Sequence, residues 1–270
     1  MFSVLEYLLT QRLVHLRAQN YCLMKNRIAI SVLFLLLSIS AFSQKKDSTA
    51  SKKDTGTTRK KFALGLVLSP DYSYRTLSSD GSSVATSIIR SRDSLETAKY
   101  RYSIGISGLF EPVKNFSLET GLFYSAFGYG TIAEQLINNQ GQNAGSITWN
   151  YNYYYITVPL NLGYSLHFNK FTIHANAGLV LGYWLNSTSD HILDNTNGTS
   201  STGSQNMDPA LRHLNMFFNA GIGIGYDVSN NLRILLEPTY TQSFIADVED
   251  VQVSEYLYTI GVNIGVYYLF

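Results

Sequence analysis

Cysteine is almost missing from this chain, with Cys22 alone in 270 residues, which excludes a disulfide-stapled scaffold. Charge is scarce as well. Asp, Glu, Lys and Arg make up 14% of the sequence, against roughly 25% in ordinary soluble domains, so much of the surface is expected not to face water. A formal net charge of +1 lacks the basic excess of a nucleic-acid binder, and no nucleic-acid partner is expected. The apolar stretch from Ile28 to Ile39 falls short of the ~20 residues that a helical membrane span requires. What the chain has instead is tyrosine and glycine, twenty of each, with 14 Phe and only 4 Met. That is the profile of a β-rich protein with many aromatic positions and close backbone approaches.

The N-terminal region reads as an export signal. Lys25 and Arg27 precede the apolar stretch, and Ser40-Ala41-Phe42-Ser43 before Gln44 supplies small residues at a cleavage point after Ser43. Residues 24–43 are therefore expected to be a signal peptide, with 1–23 an upstream mis-start or extension. Residues 44–61 hold seven Lys or Arg against Asp47 and Asp54, with no aromatic. Such a segment buries too little to fold and is expected to be a disordered basic periplasmic tail.

From Phe62 to Phe270 the hydrophobic period is two, and it recurs in eight runs. The first sets Phe62, Leu64, Leu66, Leu68, Tyr72 and Tyr74 against Ala63, Gly65, Val67, Ser69, Asp71 and Ser73; the last sets Tyr256, Tyr258, Ile260, Val262, Ile264, Val266, Tyr268 and Phe270 against Thr259, Gly261, Asn263 and Gly265. Period two is strand periodicity. A soluble barrel would show the same alternation turned inside out, so further features decide which face is outside. Aromatics bracket the apolar faces: Phe62, Phe110, Phe116, Phe171, Tyr226 and Phe270 at one end, and Tyr74, Tyr102, Tyr124, Tyr154, Tyr183, Tyr240 and Tyr256 at the other. These match the interfacial girdles of a transmembrane barrel. Short turns near 111–115, 167–170 and 228–231 alternate with long loops near 75–99, 130–150, 186–213 and 245–255. The polar faces carry eleven of the twelve glycines in these runs, together with Arg101, Glu119, His174, Arg233 and Glu237, which suits a narrow polar lumen and not a soluble core. The expectation is an all-β, eight-stranded antiparallel transmembrane barrel over 62–270, with short periplasmic turns, long extracellular loops and both termini periplasmic.

Three segments carry a family resemblance: Leu118-Glu119-Thr120-Gly121-Leu122-Phe123-Tyr124-Ser125, Tyr155-Ile156-Thr157-Val158-Pro159-Leu160, and the aromatic terminal strand ending in Phe270. They resemble the outer membrane β-barrel domain family widespread in Bacteroidota, the PorT-like group, and the signal ending Ala41-Phe42-Ser43 is similar to exported proteins of that phylum. The resemblance implies an OmpA-like or OmpX-like barrel integral to the bacterial outer membrane. It also implies contact with phospholipid and lipopolysaccharide, an assembly signal at Tyr268 and Phe270 read by the barrel-assembly machinery, and for some relatives an accessory role in a secretion and gliding apparatus.

No catalytic, cofactor-binding or metal-binding set stands out. His167 falls in a turn, His174 on a polar face, and His191 and His213 in the third long loop with Asp190 and Asp208. Asp247, Glu249, Asp250 and Glu255 match no calcium-loop spacing and read as a solvated acidic rim. Trp149 with Tyr151–Tyr155 reads as girdle and loop base. The most specific expectation concerns the lumen: Glu119 and Glu237 should pair with Arg233, with His174, Asn161 and Asn263 completing the hydrogen bonds and plugging the barrel. The function expected is non-enzymatic, in envelope integrity, adhesion or binding of an envelope protein partner through the loops. The alternatives are the secretion accessory and, last, a lipid-modifying enzyme.

Overall fold

The computed structural model describes residues 60–79, 81–207, 213–249 and 252–270. The expected signal peptide at 24–43, the expected upstream segment at 1–23 and nearly all of the expected basic tail at 44–61 lie outside the described residues, as do Asp208 and Asp250. The elements run β1 (Phe62–Ser79), α1 (Ser83–Leu95), β2 (Glu96–Val113), β3 (Phe116–Thr131), β4 (Glu134–Ile137), β5 (Asn143–Phe168), β6 (Phe171–Asn195), β7 (Ser200–Asn206), β8 (Leu214–Ser229), β9 (Leu232–Ser243), β10 (Val248–Glu249) and β11 (Val253–Leu269).

Eight long strands close a ring in the order β5-β3-β2-β1-β11-β9-β8-β6, and β6 pairs back to β5. Every pairing is antiparallel. Closure uses all backbone donors and acceptors of the ring internally, the condition that lets strands cross hydrocarbon. The seam between first and last strands is long, running from Ala63 opposite Leu269 to Ser79 opposite Val253. Phe270 N donates to Phe62 O at 2.8 Å and Lys60 Nζ to Leu269 O at 3.0 Å.

The apolar faces of all eight runs point outward. Leu66, Leu162, Ile222 and Leu214 are each more than 60% exposed, which in water would be a strongly unfavourable surface. Aromatic pairs ring both borders of this band: Phe62 with Phe110 at 4.6 Å, Phe116 with Tyr164 and Phe171 with Tyr226 at 5.1 Å at one end, and Tyr124 with Tyr154 at 5.8 Å and Tyr240 with Tyr258 at 6.1 Å at the other. The turns at the first border are tighter than expected, two residues each. Asn115 and Asn169 sit there at φ 70° and 55°, a conformation asparagine tolerates because its side chain can bond its own backbone.

The other end departs from a reading of plain loops. The first long loop contains helix α1, whose N-cap Ser82 accepts from Ala85 N at 3.1 Å. β5 and β6 run to 26 and 25 residues, more than twice the 9–11 or so needed to cross a membrane. Trp149, Tyr151 and Tyr153 belong to this extended hairpin, and Tyr153 and Tyr155 are buried inside the barrel mouth. Period-two patterning persists beyond the girdle, so composition alone placed the strand ends too early.

Candidate functional site

The inward residues stack in layers, and glycine decides where large side chains fit. Near the turn end, Tyr267 lies across Gly65 and Gly265, where an added Cβ would meet the ring at 2.5 Å; Phe123 does the same over Gly105 and Gly121. With Ala63, Val67 and Leu235 they make a small apolar wedge.

Beside it sits the charged group. His174 Nε2 pairs with Glu119 Oε1 and stands 3.8 Å from Glu237 Oε2. Asn176 Nδ2 donates to both carboxylates, at 3.0 and 2.9 Å, and Asn263 Nδ2 donates to Glu237 at 3.1 Å. Histidine, not arginine, is the basic side chain between these acids. Arg233 forms a two-pronged pair with Asp227 at 2.6 and 3.1 Å, correcting the expectation that it would bridge Glu119 and Glu237. The reason is register: Asp227 is directly opposite Arg233 on the neighbouring strand, so the side chain meets a carboxylate without reaching up the lumen. Asn161 stays outside the cluster too, donating to Asn219 at 3.0 Å. Arg101, expected among the lumen charges, passes Gly128 to donate to Asn152 at 2.7 Å.

His174 Nδ1 also shares a 2.8 Å hydrogen bond with Ser165 Oγ. Serine, histidine and a carboxylate are thus linked as in a hydrolase triad. Ser165 is 2% exposed and is not on the wall of the chamber above this layer, and the linkage ties β5 to β6 inside the ring as a polar strut. The sequence reading missed Ser165; the signal was its place opposite His174 on the same inward face.

Above this layer lies a chamber of about 90 Å³ whose walls include Ser69, Asp71, Ser103, Thr157, Asn161 and Thr259. An aromatic lid closes it toward the loop end. Phe127 stacks on Phe217 at 5.0 Å, Tyr155 meets both edge-on at 5.7 and 5.6 Å, and Val180 and Leu257 fill the remainder.

Over the lid is a second charged network, and its members were read as loop residues. Arg75 Nη1 holds Asp93 and its Nε holds Glu96, both at 2.5 Å; Arg92 of α1 reaches Glu96 and Glu255, both at 2.6 Å. Tyr129 and Tyr153 donate to Glu255 at 3.0 and 3.2 Å. Asp247 descends from the β9–β11 connection to accept from Tyr155 OH and Leu257 N, each at 2.8 Å, and from Asn215. The solvated acidic rim is therefore not what forms: Asp247 and Glu255 are both 2% exposed. Burial pushes the Asp247 carboxyl up to about 7, against the lowering effect of its hydrogen bonds from Leu257 and Tyr155.

Outside the ring, β4 joins the free side of β5 and β7 the free side of β6, making an open four-stranded sheet β4-β5-β6-β7 beyond the aromatic border. His191 packs on Trp149 at 5.0 Å and His213 on Trp184 at 5.5 Å. Neither histidine faces an acid in hydrogen-bond range among the described residues, and Asp190 instead accepts from Asn152 at 2.8 Å.

Solved structures with this architecture are small outer-membrane barrels at low identity. Neisserial surface protein A is 12% identical, covering 77% of this chain and 97% of its own, with a TM-score of 0.37. OprG from Pseudomonas aeruginosa is 10% identical, covering 76% and 95%, TM-score 0.39. The attachment invasion locus protein Ail of Yersinia pestis, crystallised with a heparin analogue, is 11% identical, covering 77% and 99%, TM-score 0.29. No curated protein matches the sequence. The family model described as the outer membrane protein beta-barrel domain matches residues 42–246. With its closed eight-strand ring, apolar outer band and paired aromatic borders, the chain belongs to the outer membrane protein beta-barrel domain family and is an integral outer-membrane protein.

Proposed function

We propose that the barrel is a non-enzymatic platform that presents the β4-β5-β6-β7 sheet outside the cell to a protein partner, in adhesion or envelope integrity. The observation that carries this reading is the pair of edges: among the described residues β4 pairs with β5 alone and β7 with β6 alone. A sheet edge offers a row of backbone donors and acceptors to another chain. β7, Ser-Ser-Thr-Gly-Ser-Gln-Asn, has none of the charges or prolines that normally blunt an edge. The lumen argues against transport and catalysis alike, since the Glu119–His174–Glu237 cluster is buried beside an apolar wedge and beneath an aromatic lid.

In this reading the two-residue turns and both termini face the periplasm, after removal of the signal at 24–43. Tyr268 and Phe270 on β11 present the assembly signal, and the apolar band meets phospholipid and lipopolysaccharide. The motifs at 118–125 and 155–160 support assignment to the PorT-like branch found in Bacteroidota.

Photo-crosslinking residues at Thr202 and Gln135 test the platform in intact cells. The expected result is a discrete protein adduct from one or both edges, lost when Ser204→Pro or Ile137→Pro removes a neighbouring edge donor. If neither edge gives an adduct, and replacing β7 with a short turn leaves envelope sensitivity unchanged, the platform reading is wrong. A fluorophosphonate probe that labelled Ser165 in the folded barrel would overturn its non-enzymatic part.

A further inference from the structure

The chamber under the aromatic lid has an imbalance that water alone does not remove. Its lining includes Asp71, Glu119 and Glu237 and no lysine or arginine. Glu119 and Glu237 face His174. Asp71 faces no cation among the described residues; its two oxygens accept from Ser69 Oγ at 2.7 Å and Ser103 Oγ at 2.8 Å. The carboxylate is 5% exposed. Its position is built by the opposite strand: Gly261 pairs with Asp71, and an added Cβ there would sit 1.8 Å from Asp71 Oδ1. A second observation points the same way. Asn161, 7% exposed and on the chamber wall, has its Oδ1 buried with no hydrogen-bond partner, while its Nδ2 is engaged by Asn219.

A buried carboxyl is paired, coordinates a cation or takes up a proton, and an orphan carbonyl oxygen accepts either a proton donor or a metal ion. Water satisfies an acceptor but leaves the charge. One carboxylate with hydroxyl and amide oxygens, the two glutamates of the lining being engaged by His174, Asn176 and Asn263, suits a hard monovalent ion, since divalent calcium sites gather more carboxylate. A chamber of about 90 Å³ has room for an ion with several waters, each needing roughly 10–15 Å³.

We propose that this chamber is a monovalent-cation site, with Asp71 as the charged ligand, Asn161 Oδ1 and wall hydroxyls among the neutral ones, and a sodium-sized ion as the ligand. The ion enters as the barrel closes and locks β1 to β5 across the lumen.

The test uses the full barrel folded in zwitterionic detergent free of lipopolysaccharide, at constant ionic strength in NaCl or tetramethylammonium chloride, whose methyl-shielded cation cannot be ligated by oxygen at short range. The readout is the temperature at which the fast-migrating folded form is lost on a gel. Wild type is expected to melt roughly 5 °C higher in NaCl, the size of stabilisation that ligand linkage gives at about 100 times Kd. Asp71→Asn removes the charge with the same shape and should melt equally in both salts. Should that variant not fold, Asn161→Leu serves, with the sodium-dependent shift reduced at least by half. Equal melting of wild type in both salts overturns the site, as does an undiminished sodium shift in the variant that folds. A shift produced by CaCl2 and not by NaCl overturns the monovalent assignment.

Discussion

The lumen carries charge at two levels, and the two are built differently. At the turn end every member of the cluster (Glu119, His174, Asn176, Glu237 and Asn263) comes from a ring strand within the apolar band, so parity along the strand fixes its direction. At the loop end the network draws on helix α1 through Arg92 and Asp93, on the β9–β11 connection through Asp247, and on strand ends beyond the girdle through Arg75, Glu96 and Glu255. The first holds strands that the backbone ladder already holds. The second also ties down helix α1 and the β9–β11 connection, which lie outside the ring ladder, so its loss should cost more and reach further.

The largest effect is therefore expected at Arg75. Its side chain is 2% exposed and clamps Asp93 and Glu96 while lying over the Tyr74 ring at 4.9 Å. Arg75→Ala leaves the nearly buried Glu96 short of a partner, and breaking a buried pair from one side costs about 3–5 kcal/mol. Thermal loss of the folded gel form should drop more for Arg75→Ala than for any turn-end variant, and limited proteolysis should cut near α1 first. An Arg75→Ala barrel melting like wild type would erase the distinction between the two levels.

Acidity probes the same upper level more gently. The Asp247 carboxyl, raised by burial to about 7 from an ordinary 3.8, binds a proton in the folded chain where the unfolded chain has lost it. Stability from this group is thus fully present below about pH 4, falls as pH rises from 4 to 7, and is gone above 7. Three units at about 1.4 kcal/mol each set an upper bound near 4 kcal/mol, felt as opening of 244–249. Amide exchange at Leu257, whose N–H donates to Asp247, should quicken across that window and lose its pH dependence, beyond the intrinsic trend, in Asp247→Asn. Flat protection in wild type would count against a protonated clasp.

How far the sequence carried follows the same division. Alternation, aromatic borders and the inward glycines were legible because a strand in a membrane band obeys one rule per residue. The polar faces were legible as faces, including Asp71 and Asp227, but not their pairings, which depend on register between strands distant in sequence. Arg75 and Glu96 fell within a segment read as a loop, and Asp247 and Glu255 within a solvated acidic rim, because their burial is tertiary: a helix and a connection fold over the mouth, and composition does not show that. Tyr153 and Tyr155 escaped for a related reason, since aromatic density near a border looks the same whether rings face lipid or close a lumen.

At the turn end, His174→Ala removes the basic side chain that faces both Glu119 and Glu237 and the ring nitrogen that bonds Ser165. Unsatisfied buried groups of this kind cost about 1–3 kcal/mol each, though the ladder and the two asparagines retain part of the cluster. The melting temperature should fall less than for Arg75→Ala, and His174→Gln, which keeps a donor, should recover part of the loss. An Ala variant at wild-type stability would mean that the carboxylates share a proton and need no histidine.

The smallest effect is expected at Arg233, where the sequence alone promised the largest. A lone arginine among lumen carboxylates would be a keystone, but this one pairs with Asp227 across a single strand gap, one turn from the barrel end, with side chains 14% and 26% exposed. Water reaches both partners, so removing one leaves the other hydrated and not stranded. Pairs in such surroundings contribute about 0–1 kcal/mol. Arg233→Ala should lower melting slightly, and 0.5 M salt should erase most of the difference by screening, whereas salt should leave the His174→Ala deficit nearly intact because its acids are enclosed. The contrast is sharpest in the double variant: Arg233→Ala with His174→Ala should be additive, since the two sites share no hydrogen-bond partner. Strong coupling between them would restore the single bridged cluster that residue parity suggested.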